Sequence, residues 1–127
     1  MKKIMKTFIA DDSLNVRKGL IAMLSQIEGI EITGQAGNVH DAIDSIQALE
    51  PDVVILDIKM PGGSGVDVLR HIKKEQPSTV VIILTNYPYP QYRQECMDEK
   101  ADFFFDKSIE SEKVIKVCKR LARSSHT

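Results

Sequence analysis

Val53-Val54-Ile55-Leu56-Asp57 places four apolar residues in a row directly before an acid. An unbroken apolar run of this length is typical of a parallel β-strand that helices cover on both faces. The turn residues Pro61-Gly62-Gly63 follow, and Ser64 with Asp67 three residues later predicts a capping box at the start of a helix. This part of the chain is therefore interpreted as a strand, a turn and a helix.

Similar units continue in both directions from this stretch. Further β-rich runs cover residues 7–10, 30–36, 80–84 and 103–105, and apolar residues three and four apart predict a helix after each run. Strands that alternate with helices form a mostly parallel sheet, and right-handed crossovers favour the strand order 2-1-3-4-5. The predicted fold class is α/β: a flavodoxin-like, doubly wound (βα)5 domain with a five-stranded parallel sheet and helices on both faces.

Helix ends are predicted from capping and stop residues. Asn38 and Ser111 are expected to cap the second and fifth helices, and Gly29 is expected to end the first one. The fourth helix is placed at about residues 91–99, and the polar tail 123–127 is expected to fray.

Length and composition restrict the function classes. The 127 residues fit one domain with a core at about residues 6–123, so no separate catalytic or DNA-binding module is expected. The 17 Lys and Arg against 18 Asp and Glu argue against a surface for nucleic acid or anionic lipid. No apolar run approaches the roughly 20 residues that span a bilayer. Cys96 and Cys118 are interpreted as reduced thiols of a cytoplasmic protein.

Polar side chains follow the predicted strands where each strand ends: Asp11 and Asp12, Asp57, Thr85 and Lys107. Ligands of open α/β sheets bind at these carboxyl ends, so the three acids should converge between the first and third strands. Clustered carboxylates need a cation, and an oxygen-only site that keeps several waters suits Mg²⁺. A carboxylate nucleophile, a divalent cation, an ammonium and a hydroxyl are the groups that phosphoryl transfer requires.

Each of these residues also has an ordinary explanation. The pair Asp11 and Asp12 could cap the next helix, and Asp57 could be a turn acid. Thr85 could simply end a strand, and Lys107 could be a solvated surface lysine. An accidental occurrence of all of them in this order is much less expected than any one alone, which favours the phosphoryl-transfer interpretation.

From Lys6 to about Arg123 the chain resembles the receiver domain of bacterial two-component response regulators, a family of chemotaxis-regulator-like receivers. The motifs that carry the resemblance are Asp11-Asp12, the run Val54-Ile55-Leu56-Asp57-Ile58-Lys59-Met60-Pro61-Gly62 with Gly65 after it, Thr85 after an apolar strand, and Lys107 three residues beyond Phe104. The resemblance implies one receiver domain over residues 1–127 that acts in phosphorelay signal transduction as a phosphoprotein. It implies no turnover of a separate substrate, so the chain is not expected to be an enzyme.

The same resemblance implies roles for the acids. Asp57 would accept a phosphoryl group from a phosphohistidine in a Mg²⁺-dependent reaction. Asp12 and Asp57 would bind the ion through their carboxylates, Asp11 through water, and Lys59 through its backbone carbonyl.

The switch residues are implied in the same way. Thr85 and Lys107 would bind the phosphoryl group, and Phe104 would move inward as Thr85 is drawn towards it. Family members usually have a proline after the lysine, whereas this chain has Ser108, so the following loop is expected to be less restrained. Asn86 stands where a small residue is more usual.

Side chains two residues beyond Asp57 and Thr85 are expected to tune loss of the phosphoryl group. These are Lys59 and Tyr87, and with Asn86 they could shield the site and slow hydrolysis.

The implied partners are a sensor histidine kinase or phosphotransfer protein, and a downstream target or output domain. Asn15, Arg17 and Lys18 are expected to be exposed on the first helix as the kinase contact. Neither direct nucleic-acid binding nor membrane contact is expected, and dimer formation on phosphorylation stays open.

Alternative functions are weighed against this interpretation. The chain could be the receiver portion of a longer DNA-binding transcriptional regulator. An Asp-nucleophile phosphatase would need a second acid two residues after Asp57, where Lys59 stands. A flavin-binding module would need a phosphate loop after the first strand, where Asp11-Asp12-Ser13 places negative charge.

Overall fold

Five β-strands and five α-helices alternate along residues 3–124, the part of the chain that this computed structural model describes. The end of the tail that was expected to fray, residues 125–127, lies outside the described residues. The elements in chain order are β1 Met5–Ala10, α1 Leu14–Leu24, β2 Ile30–Ala36, α2 Val39–Leu49, β3 Val53–Leu56, α3 Gly65–Glu75, β4 Val80–Thr85, α4 Pro90–Asp98, β5 Phe103–Asp106 and α5 Ser111–Ser124. A short antiparallel ladder pairs Lys59–Met60 with Gly63–Ser64 between β3 and α3.

The five strands form one parallel sheet in the order β2-β1-β3-β4-β5. The predicted α/β fold class and strand order 2-1-3-4-5 are therefore confirmed. Ala10 pairs with Leu56, so β1 and β3 end side by side. Among residues 3–124, no helix is long and apolar enough to cross a bilayer.

The sheet separates two layers of helices, and each layer encloses its own apolar cluster. Helices α1 and α5 cover one face, and α2, α3 and α4 cover the other. Successive side chains of a strand point to opposite faces. In β3, Val53 and Ile55 accordingly pack on the α1–α5 side, while Val54 and Leu56 pack on the other side. Burial on both faces explains the unbroken apolar run of β3.

The predicted helix ends are partly right. Asn38 and Ser64 cap α2 and α3 as predicted, and Ser64 forms the expected capping box with Asp67. The prediction that Ser111 caps the last helix is wrong. Ser111 is the first residue of α5, and its hydroxyl donates to the carbonyl of Lys107.

Helix α1 is shorter than predicted. It ends at Leu24, and the N–H of Ile27 donates to the carbonyl of Leu24 in a tight turn before Gly29. Gly29 has φ +90°, a conformation that favours glycine, so it forms the turn directly before β2 rather than the end of α1.

Candidate functional site

The three predicted carboxylates meet at the carboxyl edge of the sheet. One oxygen from each of Asp11, Asp12 and Asp57 lies within 4.8 Å of the others. The backbone N–H of Asp57 donates to the carbonyl of Ala10 at 2.9 Å, which fixes Asp57 beside the end of β1. Asp11 and Asp57 are buried, whereas Asp12 is exposed. The structure thus brings together the acids that the strand pattern predicts.

Lys107 reaches this cluster from the end of β5. Its ammonium donates to Asp11 Oδ2 at 2.7 Å and to Asp57 Oδ2 at 3.0 Å. Its side chain is 11% exposed, so these are buried ion pairs rather than surface contacts. Three carboxylates and one ammonium leave a formal charge of −2 when all are ionised.

Burial sets the protonation of the site. It raises the pKa of Asp57, while the charge and hydrogen bond of Lys107 lower it and the charge of Asp11 raises it further. Burial alone would lower the pKa of Lys107, but its hydrogen bonds and charge interactions with Asp11 and Asp57 outweigh that effect and raise it. Lys107 therefore remains a cation. The attraction of Lys107 offsets only part of the cost of burying the negative charge of Asp57.

One oxygen of the site has no partner within the described chain. Asp57 Oδ1 is buried and accepts no hydrogen bond. An ionised oxygen buried without a partner is costly, so this atom is suited to a ligand that comes from outside the protein. All donor atoms of the cluster are oxygens, and a divalent cation would balance the charge of −2. These residues therefore fit Mg²⁺.

Gly65 allows the backbone of Asp57 to pass close to α3. A Cβ at position 65 would overlap the carbonyl oxygen of Asp57 and lie 2.9 Å from Cα of Ile58. The N–H of Gly65 donates to the carbonyl of Ile58 at 2.6 Å, so the two segments cannot simply separate. The sequence motif contains Gly65, but its pattern does not reveal this contact.

Thr85 and the residues after it lie beside the cluster. Thr85 is fully buried, and its hydroxyl accepts the N–H of Tyr87 at 3.1 Å and slightly lowers the pKa of Asp57. The ammonium of Lys59 lies 5.0 Å from the ring centre of Tyr87, which is a cation–π contact between the two chain segments that follow β3 and β4. Asn86 is exposed between Thr85 and Tyr87.

Phe104 points inward and is 5% exposed. The guanidinium of Arg93 on α4 covers its ring at 4.6 Å. Tyr92 packs against the same apolar cluster, and Tyr89 contacts Tyr92 at 5.9 Å between ring centres. Tyr87 in turn lies 6.4 Å from Tyr89 between ring centres, so these three tyrosines form an aromatic series from the segment after β4 to the cluster that contains Phe104.

The prediction that Arg17 is exposed is wrong, while its part in a kinase contact stays a prediction. Arg17 is half-buried and donates to the backbone carbonyl of Asp11 at 2.5 Å and to the side chain of Gln35 at 2.8 Å. It holds the turn that carries the acids. Asp11 also accepts the N–H of Ser13, but the cap of α1 is Ser13 itself, whose hydroxyl accepts the N–H of Val16 at 3.2 Å.

The loop after Lys107 differs from the expectation of a less restrained segment. Asp106 accepts both the N–H and the hydroxyl of Ser108, at 2.9 and 2.6 Å. Glu110 accepts the N–H of Asp106 at 2.9 Å. Hydrogen bonds therefore restrain the segment that has serine instead of proline, and sequence analysis did not single out Asp106 or Glu110.

Comparisons with known proteins agree with this arrangement. The family model for the response regulator receiver domain matches residues 7–119. The DNA-binding transcriptional activator DevR/DosR of Mycobacterium tuberculosis is 34% identical over 84 residues, which are 66% of this chain and 39% of that protein. The chain spans about half or less of the length of several curated relatives that it matches.

Two solved structures show the same fold. The isolated REC domain of RcsB from Salmonella enterica serovar Typhimurium, in the presence of the phosphomimetic BeF3−, has a TM-score of 0.87 and 26% identity, with 98% of this chain and 93% of that chain covered. A CheX–CheY–BeF3–Mg²⁺ complex from Borrelia burgdorferi has a TM-score of 0.83 and 25% identity, with coverage of 92% and 88%.

Proposed function

Because the chain belongs to the response regulator receiver domain family of two-component phosphorelay signalling, we propose that Asp57 is the residue that accepts the phosphoryl group. The observation that carries the proposal is the state of the Asp57 carboxylate. Lys107 binds Oδ2, while Oδ1 is buried and has no hydrogen-bond partner among residues 3–124. An oxygen of Asp57 would attack phosphorus as the bond from phosphorus to the nitrogen of a phosphohistidine breaks, and the dephosphorylated histidine of the kinase or phosphotransfer protein would leave with a proton on its imidazole.

Asp11, Asp12 and Asp57 would hold Mg²⁺, together with the backbone carbonyl of Lys59. The ion would neutralise charge on the phosphoryl oxygens when bound. The support is the 4.8 Å cluster of oxygen donors with its excess negative charge, and the Borrelia burgdorferi complex whose name includes Mg²⁺.

Lys107 and Thr85 would recognise the phosphoryl group. The ammonium already reaches Asp57, so it can pair with a phosphoryl oxygen on the same carboxylate after a small movement. The Thr85 hydroxyl uses its oxygen to accept the N–H of Tyr87, which leaves its hydrogen available as a donor. Movement of Thr85 towards the phosphoryl group would displace the loop that follows it. The ring of Phe104, at the end of the aromatic series, would then move in response.

Lys59, Asn86 and Tyr87 would govern how long the phosphoryl group survives. The cation–π contact joins the two chain segments that follow Asp57 and Thr85, so it would limit the approach of water to the acyl phosphate. Lys59 also occupies the position where an Asp-nucleophile phosphatase would need its second acid. The chain would therefore keep its own phosphoryl group rather than turn over a separate substrate.

The contact with the kinase would be formed by the start of α1 and the loop after Lys107, which both lie next to the acid cluster. Asn15 and Lys18 are exposed at the start of α1, and Leu14 is 50% exposed. Ile109, in the loop after Lys107, is 80% exposed. Exposed apolar side chains among polar ones suit a protein partner. A downstream target or output domain, dimer formation on phosphorylation and a cytoplasmic location stay predictions.

One observation favours the alternative that the chain is the receiver portion of a longer DNA-binding regulator. The matched residues make up only 38%, 39% and 51% of three curated relatives, and one of these is described as a DNA-binding transcriptional activator. In that case the chemistry at Asp57 would be unchanged, and the output would depend on the attached domain.

The test is phosphorylation by acetyl phosphate with Mg²⁺, compared with Asp57→Asn. The wild type should form an adduct that is stable in acid and labile in base, and the variant should form none. Omission of Mg²⁺ should abolish or strongly slow the reaction. An equal adduct on Asp57→Asn would place the phosphoacceptor elsewhere, and steady hydrolysis of phosphate esters would favour the phosphatase.

A further inference from the structure

The segment 106–111, which joins β5 to α5, is fixed by its own side chains. Lys107 donates its N–H to the carbonyl of Thr85 at 2.8 Å, and its carbonyl accepts the hydroxyl of Ser111 at 2.7 Å. The N–H groups of Ile109 and Glu110 both donate to the carbonyl of Asp106. The backbone on both sides of Lys107 is therefore hydrogen-bonded, although no proline restrains it.

Two carboxylates organise this segment. Glu110 accepts the N–H of Asp106 through Oε1 at 2.9 Å and the ammonium of Lys113 through Oε2 at 2.8 Å. Asp106 accepts two hydrogen bonds from Ser108 through a single oxygen. The hydrogen bonds from Lys113 and from the Asp106 backbone lower the pKa of Glu110, so it is ionised at neutral pH.

Lys107 needs this restraint because its ammonium has two targets, which follow the ends of different strands. It must stay within hydrogen-bond distance of both Asp11 and Asp57, at 2.7 and 3.0 Å. A lysine side chain is long and flexible, so its placement depends strongly on where its backbone is held. Misplacement of a reacting group by about 1 Å can cost on the order of a hundredfold in rate.

We propose that Glu110 and Asp106 are positioning residues for Lys107: their hydrogen bonds to the backbone and to Ser108 hold the lysine in place for phosphoryl transfer. The inference rests on the proposed function, because it assigns these residues to the reaction at Asp57. Neither carboxylate touches the reacting atoms. Both act through the backbone that carries Lys107.

The structure offers a matched control at the other end of the same strand. Asp102 accepts the N–H of Val81 at 2.8 Å and the ammonium of Lys73 at 2.9 Å, so it makes the same two kinds of contact as Glu110. Loss of either carboxylate removes one backbone acceptor and one ion pair. Only Glu110 is joined to the segment that carries Lys107.

The experiment measures the rate of phosphorylation by acetyl phosphate, at saturating Mg²⁺, in Glu110→Ala, Glu110→Gln and Asp102→Ala. Melting curves fix an assay temperature at which every variant is folded. Glu110→Ala should reduce the maximal rate by about tenfold or more. Glu110→Gln keeps an oxygen acceptor for the Asp106 N–H and should recover most of that loss, while Asp102→Ala should match the wild type.

A double-mutant comparison separates positioning from stability. In a Lys107→Gln background, Glu110→Ala should change the residual rate by less than about twofold, because the group through which it acts is already gone. Asp106→Ala should behave in the same way, and Asp106→Asn should retain activity. The inference would be overturned, while the proposed function stands, if Glu110→Ala were phosphorylated as fast as the wild type. It would also be overturned if Glu110→Ala reduced the phosphorylation rate by the same factor with Lys107 and with Lys107→Gln. A wild-type chain that accepts no phosphoryl group would overturn both.

Discussion

Substitution of Gly65 by alanine tests the close approach on which the position of Asp57 depends. The added Cβ would overlap the carbonyl oxygen of Asp57 and lie 2.8 Å from its carbonyl carbon. Carbon atoms pack favourably at about 3.5–4.0 Å, so the carbon contact alone requires the two backbones to separate by at least roughly 0.7 Å, and the overlap with the oxygen requires more. Both partners are main chain, and a rotamer change cannot relieve the overlap.

Two effects of opposite sign act on stability in this variant. Alanine is the better helix former, which favours Gly65→Ala by at most about 1 kcal/mol at the start of α3. Overpacking of a buried site costs about 1–3 kcal/mol, and more where nothing can yield. The clash should therefore prevail, with a net loss of about 1–3 kcal/mol in the free energy of unfolding. Displacement of Asp57 should also slow phosphorylation by about tenfold or more.

The assay is urea denaturation followed by circular dichroism, together with the acetyl phosphate reaction on the folded variant. Gly19→Ala is the matched control, because a Cβ at position 19 of α1 would meet no other segment of the described chain within 4 Å. It should raise stability by about 0.5–1 kcal/mol. A Gly65→Ala chain with wild-type stability and wild-type phosphorylation would refute the reasoning.

Three further results are expected. Asp57→Asn should raise the melting temperature at neutral pH by a few degrees, because the folded protein raises the pKa of this carboxyl and therefore disfavours its charge. This penalty is complete at pH values above the raised pKa of Asp57 and absent below the ordinary pKa of 3.8. The difference in melting temperature between Asp57→Asn and the wild type should therefore shrink as the pH falls, and a difference that grows would contradict the pKa argument. Mg²⁺ at a hundred times its dissociation constant should stabilise the wild type by about 2.7 kcal/mol and Asp12→Ala far less, measured by thermal melting; equal stabilisation of both would remove Asp12 from the metal site. Lys59→Ala and Tyr87→Ala should each shorten the half-life of phospho-Asp57 about two- to fivefold, as expected for a cation–π contact of 0.5–1 kcal/mol, and equal decay in all three proteins would exclude the contact as a shield.

The sequence predicted the features that depend on local pattern. The apolar run of β3 identified a strand covered on both faces, and Ser64 with Asp67 identified the start of α3. Polar residues at the strand ends predicted the acid cluster, because parallel strands present their carboxyl ends at one edge. For that reason the strand pattern alone predicts that Asp11, Asp57 and Lys107 lie close together.

Contacts between distant segments could not be predicted in this way. Arg17 has an ordinary position on an amphipathic helix, and only the fold shows that it reaches the carbonyl of Asp11. The same holds for Glu110, whose charge suggests a solvated surface residue until the path of the loop brings it to the Asp106 N–H. The prediction for Ser111 is wrong because a serine hydroxyl at this position can either accept a helix N–H as a cap or donate to a preceding carbonyl. The path of the turn selects the second bond, to the carbonyl of Lys107.

The division of the apolar interior by the sheet has a consequence for how this protein can diversify. Leu20 and Leu24 of α1 lie in one cluster, and Leu69 and Ile72 of α3 lie in the other, with the strand backbones between them. Substitutions in separate clusters share few neighbours, so their energetic effects should be nearly additive. One layer of helices can then be remodelled for a new binding role while the opposite layer keeps its packing. Two of the hydrogen bonds that hold the acid cluster would persist during such change, because the N–H groups of Asp57 and Asp11 donate to the last carbonyls of β1 and β2, respectively, and so join strand ends within the sheet.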